Sequence, residues 1–166
     1  KITSLKEIKN LHNLERLYCD YNKITSLTEI ENLSNLKEIY CEHNLLTSLK
    51  GIENLSNLKL LYCTDNQITS LKEIENLSNL EVLSCSHNSL TSLMGIENLF
   101  NLEKLYCNHN PICHYIKNNY KGENYYKGEN YYEGDWKKYI KDLKAVQLIE
   151  SLFLEIRNSH EYVYCR

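Results

Sequence analysis

The sequence predicts an α/β repeat solenoid, and three observations carry that prediction. Asn22, Asn44, Asn66, Asn88 and Asn110 stand 22 residues apart. Each lies in one frame, L-x-x-L/I-x-C-x-x-N-x-I/L, first met as Leu14, Leu17, Cys19, Asn22 and Ile24. The units then align without insertion, from LERLYCDYNKITSLTEIENLSN at 14 to 35 to the opening half of a unit at Leu102. A fixed short period means stacked supersecondary units, because no single unit buries its own apolar edge.

Within a unit, Leu17-Tyr18-Cys19-Asp20 alternates apolar and polar with the period of two that a short strand requires. After the asparagine the apolar spacing becomes three, at Ile24, Leu27, Ile30 and Leu33, which suits 3₁₀ or irregular turns rather than an α-helix. One strand and one compact return therefore make a unit, and Ile2 to Asn13 matches the latter half of a preceding one.

The recurring asparagine offers an amide donor and a carbonyl acceptor to backbone groups left open where the chain leaves the strand. It reads as a structural ladder. Two further registers, Asn10/Asn32/Asn54/Asn76/Asn98 and Asn13/Asn35/Asn57/Asn79/Asn101, are expected to hold the return in the same way. Asn32, Asn54 and Asn76 also fit the N-glycosylation pattern, but a glycan on a structural register would obstruct packing.

Cys19, Cys41, Cys63, Cys85 and Cys107 take a core position and read as a column of small buried hydrophobes. Adjacent strands lie roughly 5 Å apart, which alone does not forbid a disulfide. Inward side chains on parallel strands are nevertheless poorly aimed for one. Free thiols imply an intracellular, reducing compartment. Cys113 and Cys165 fall outside the column.

The frame L-x-x-L-x-C-x-x-N-x-I/L resembles the leucine-rich-repeat family in its 22-residue form, with Cys in place of the third Leu. The resemblance covers residues 1 to 112 and is closest in tone to bacterial internalin-type repeats. A weaker, compositional likeness is to the Asn- and Tyr-rich repeat proteins of giant DNA viruses. The resemblance implies an arc, with a parallel β-sheet on the concave side and 3₁₀ or irregular returns on the convex side. It also implies a protein-protein interaction scaffold rather than an enzyme.

If positions 14, 17 and 19 point inward, three rows face out from the sheet. They are Arg16, Glu38, Leu60, Val82 and Lys104; Tyr18, Tyr40, Tyr62, Ser84 and Tyr106; and Asp20, Glu42, Thr64, Ser86 and Asn108. Tyrosine is a favoured hot-spot residue, and Leu60 and Val82 beside Tyr62 would expose a small apolar patch. These rows are the expected partner-binding face, although the rings could also serve only to stack on one another. A rim row, Tyr21, His43, Asp65, His87 and His109, makes His87 and His109 near neighbours without supplying the further ligands a metal needs.

Pro111 ends the periodic segment. Residues 113–134 read as a connector, and the near-duplication YKGENY-YKGENY-YEGDW at 120–136, whose lysines are matched by acids, runs through it to the start of the next segment. Aromatic and basic residues so mixed can stack on single-stranded nucleic acid, but phosphate binding needs a positive excess and the chain carries a net charge of −3. From Asp135, a fair N-cap, Trp136, Ile140, Leu143, Val146, Ile149, Phe153 and Ile156 have helical spacing, so 135–166 is expected to be an amphipathic cap on the last repeat.

No phosphate loop, nucleophile elbow or metal-protease pattern occurs, no cofactor motif is found, and Cys113-His114 lacks an orienting carboxylate. No stretch is long and apolar enough to span a membrane, and Lys1-Ile2-Thr3-Ser4-Leu5 is not a secretory leader. Lys1 begins inside a repeat without a methionine, as expected of a partial chain. Ile2, Leu5 and Ile8 then lack a visible cover, which makes end-to-end self-association through that end the second expectation for function.

Overall fold

The computed structural model of the chain describes residues 1–113, 140–142 and 144–145. Five strands form one parallel sheet in sequence order: β1 (Arg16–Tyr18), β2 (Glu38–Tyr40), β3 (Leu60–Tyr62), β4 (Val82–Ser84) and β5 (Lys104–Tyr106). The register is the sequence period itself, with Leu17 beside Ile39, Leu61 beside Leu83, and Leu83 beside Leu105. Each strand is three residues long because the asparagine turn follows so closely. Its middle residue points into the core and its outer two point away.

Returns carry the spacing of three into two different shapes. Lys6–Ile8, Thr28–Ile30 and Lys72–Ile74 are single 3₁₀ turns, each with a glutamate at its centre. In the other two returns a glycine replaces that glutamate, at Gly51 and Gly95, with φ of +107° and +109°. An ideal Cβ on Gly51 would lie 2.4 Å from the Leu27 carbonyl oxygen, so the residue is both turned to positive φ and pressed against the preceding return. The 22-residue period hides this difference.

Ile24, Leu27, Ile30, Leu33 and Leu36 have no measurable exposure, and with their buried counterparts in later turns they form a continuous column-built core. Burying each such side chain contributes about 1.5–3 kcal/mol. All five cysteines of the strand column are buried and free. Leu5 is buried too, against the expectation that the first turn lies open, whereas Ile2 and Leu11 are each 50% exposed.

Polar closure of each turn comes from the recurring asparagine. Asn66 donates through Nδ2 to the carbonyls of Cys41 and Cys63, both at 3.0 Å, and its Oδ1 accepts from the Leu46 N–H at 2.9 Å. Asn44, Asn88 and Asn110 repeat the arrangement on Ile24, Ile68 and Leu90. Of the two lesser registers, only one bonds across turns in this way: Asn35, Asn57, Asn79 and Asn101 donate to the carbonyls of His12, Ser34, Ser56 and Ser78. Both registers are exposed, Asn32, Asn54 and Asn76 as much as Asn35, Asn57 and Asn79.

The expected connector beyond Cys113 and most of the expected cap lie outside the described residues. Residues 140–142 and 144–145 are helical. Ile140 is buried in the core cluster, and Lys144 Nζ lies 5.0 Å from the ring centroid of Phe100 on the last full return.

Candidate partner-binding face

The outward sheet face is built by strand alternation, since a buried Leu or Ile at the centre of each strand turns its neighbours outward. Tyr18, Tyr40 and Tyr62 stand in register and stack. Ring centroids are 4.6 Å apart for Tyr18 and Tyr40 and 4.7 Å for Tyr40 and Tyr62, with planes 14° and 4° from parallel. The strand spacing of about 4.8 Å imposes that distance. At one end Arg16 Nε donates to Glu38 Oε1 at 2.8 Å, and the Tyr40 hydroxyl donates to Glu38 Oε2 at 3.4 Å. Burial, with the negative charge of Glu38 behind it, pushes the Tyr40 phenol above its ordinary pKa.

The row breaks at β4. Ser84 occupies the tyrosine register between Tyr62 and Tyr106, and its hydroxyl is 2.9 Å from that of Thr64. A depression of 540 Å³ opens over this break. Ser84 and Ser86 lie on its floor and are buried, so these two residues of the expected face are not displayed on it: a short side chain beside tyrosines sits below their level. Tyr62 and Tyr106 wall it along the sheet, with Glu42, Thr64, Asp65 and Asn108 on the side toward the asparagine turns. Leu60 and Val82 are half-buried, and Lys104 is exposed, away from the depression.

Two carboxylates, Glu42 and Asp65, line the depression together with the imidazoles of His87 and His109. Asp20 Oδ1 accepts the backbone N–H of Glu42 at 2.8 Å, bringing two carboxylates together in adjacent turns. Burial first, then the charge of Asp20, raises the pKa of Glu42.

Sequence reasoning missed how the rim is held. Tyr21, His43, Asp65, His87 and His109 all adopt the left-handed region, with φ between 50° and 57°. Such a conformation costs about 1–2 kcal/mol in a residue with a Cβ. Backbone bonds offset it, for the His43 N–H reaches the Thr64 carbonyl at 3.0 Å and the His87 N–H that of Asn108 at 2.8 Å. The signal was present in the recurrence of His and Asp, which tolerate this region better than most. The rings of His87 and His109 stack at 4.1 Å, and Asp65 pairs with His43 at 3.5 Å. Among the described residues, no three His, Cys, Asp or Glu side chains converge as a metal site requires. No described helix is long and apolar enough to cross a membrane.

The repeat geometry has direct counterparts. The family profile for leucine-rich repeats (2 copies) matches residues 34–77. Internalin C2 of Listeria monocytogenes superposes with a TM-score of 0.65 at 27% identity, over 66% of this chain and 49% of that one. The chain carries leucine-rich repeats and is similar in fold to the internalins. A further Listeria monocytogenes internalin, inlF, matches the leucine-rich-repeat protein with a TM-score of 0.64 at 31% identity, over 66% of this chain and 33% of that one. A leucine-rich-repeat protein of Leptospira interrogans gives 0.62 at 37% identity, over 65% and 29%. The chain therefore spans about half the length of the first of these and a third or less of the others. All three are bacterial, and the viral likeness has no counterpart among them. No curated protein sequence matches the chain.

Proposed function

We propose that this leucine-rich-repeat protein is a non-enzymatic module that binds a protein partner through the outward, concave face of its sheet. Leucine-rich-repeat proteins generally mediate protein-protein interactions, and stacked repeats present broad surfaces suited to that role. The observation that carries the reading is the tyrosine stack running into the depression at Ser84: rigid aromatic anchors beside a recess are what an interface centre needs. The face joins Arg16, Tyr18, Asp20, Glu38, Tyr40, Glu42, Leu60, Tyr62, Thr64, Val82, Lys104, Tyr106 and Asn108 around the recessed Ser84 and Ser86. The carboxylates of Glu42 and Asp65 in the recess, and a net charge of −3, disfavour nucleic acid.

A pull-down from the source cell with the parent chain and with Tyr40→Ala/Tyr62→Ala tests it. The folded double variant is expected to lose the captured partner, and retained capture overturns the reading. The buried free thiols support a reducing compartment for the protein. A second reading, self-association end to end, is favoured by Ile2 and Leu11, each half exposed on the first turn. Light scattering at high concentration checks it, a strict monomer counting against it.

A further inference from the structure

The break in the tyrosine row leaves a depression lined by Tyr62, Ser84 and Tyr106. Tyr62 stacks on Tyr40 through one face at 4.7 Å, and its other face looks along the row toward Ser84, which carries no ring. Tyr106 stands one strand further on, so the strands that carry Tyr62 and Tyr106 are two spacings apart, about 9.5 Å. A planar group placed over Ser84 would continue the stack at the interval the sheet already imposes. The walls then select among planar groups. Glu42 and Asp65 line the depression with His87 and His109 at the rim, the hydroxyls of Thr64 and Ser84 lie at its base, and among the described residues no lysine or arginine lines it.

Resting on the sheet-face reading above, we propose that the recess over Ser84 takes the guanidinium of an arginine side chain from the partner protein, layered between Tyr62 and Tyr106 and bonded to Glu42. A guanidinium is flat, positively charged and carries five donors in a rigid fork, so one group satisfies the slot, the carboxylates and the hydroxyl oxygens together. Cations are also drawn to the face of a tyrosine ring. A phenyl or phenol side chain would match the slot but leave the carboxylates facing an apolar group. A lysine ammonium would meet the charge but not the flat space. The burial and Asp20 charge that raise the pKa of Glu42 are what an incoming cation would relieve.

The test selects a displayed library of random dodecapeptides on the full chain and measures the selected peptides on three variants. Ser84→Tyr fills the slot with a ring, Glu42→Gln/Asp65→Asn keeps its shape without the charge, and Tyr18→Ala/Tyr40→Ala alters the face outside it. Enrichment of arginine at one peptide position is expected, with binding weakened about tenfold or more by the first two variants and by arginine-to-lysine replacement in the peptide. Should Ser84→Tyr fail to fold, the charge variant and the peptide replacement carry the comparison. Peptides that depend on Tyr18 and Tyr40 without an enriched arginine, or with an aromatic in its place, overturn the arginine slot and leave the sheet-face reading standing. Peptides indifferent to all three variants, or no selected peptides at all, count against both.

Discussion

The rings of Tyr40 and Tyr62 lie 4.7 Å apart and only 4° from parallel, so each phenol on the sheet is held by its neighbour as well as by its own strand. Aromatic pairs of this kind contribute about 0.5–1.5 kcal/mol beyond the area they bury. A double-mutant cycle of Tyr40→Ala and Tyr62→Ala in urea should return a coupling in that range. A coupling of zero would mean that the row is displayed but not self-supporting.

Asn66→Ala is expected to cost about 1–3 kcal/mol, because it strands the Leu46 N–H and removes the donor serving the Cys41 and Cys63 carbonyls. Asn54→Ala, at an exposed position of the outer register, should change stability by no more than about 0.5 kcal/mol. Urea midpoints of the two variants give the comparison, and an equal effect would refute the assignment.

Gly51→Ala should destabilise by about 1–3 kcal/mol, since φ there is +107° and the new methyl would meet the Leu27 carbonyl. The pressed backbone cannot relax without moving the return beneath it. Thermal melting checks this, an unchanged melting temperature being the contrary result.

The thiols should divide by position. Burial, helped by Asp20, pushes Cys19 up to about 12, and burial likewise raises Cys41, Cys63 and Cys85. The hydrogen bond between Cys107 and Cys113 lowers the pKa of the half-buried Cys113. Native-state alkylation read by mass spectrometry should therefore label Cys113 ahead of the column. The sign of the pH effect follows from the raised values. A folded thiol keeps its proton where the unfolded one, with a pKa near 9.0, has lost it, so this contribution is whole below pH 9 and declines as pH rises toward 12. Replacing Cys63 by Ala should flatten that alkaline decline, measurable as urea midpoints across the range.

Much of the architecture was legible because period and chemistry coincided. The interval between Asn22 and Asn44 is also the interval between Arg16 and Glu38 in the sheet register, so alignment of the sequence was alignment of the strands. Spacing of three at Ile24, Leu27, Ile30 and Leu33 correctly indicated 3₁₀ turns, at Thr28–Ile30 among others. Gly51 and Gly95 were overlooked because the apolar frame does not include them. Their close approach to Leu27 and Leu71 is a contact between turns, which a single-turn pattern does not encode. The outward rows were readable from strand alternation, but the depression was not. It arises from the absence of a ring at Ser84, and the depth of a gap depends on the height of its neighbours, Tyr62 and Tyr106.

Each asparagine Oδ1 accepts from a backbone N–H 20 residues earlier, as Asn44 does from Ile24 and Asn110 from Leu90. Completion thus runs in one direction along the chain. A nascent polypeptide leaving the ribosome would hold its newest coil unfinished until the following one had emerged, and would lock coils in the order of translation. A premature stop would leave the broken edge's amides open, those equivalent to Cys19, Tyr21 and Ile24 among them, while every earlier coil stayed closed.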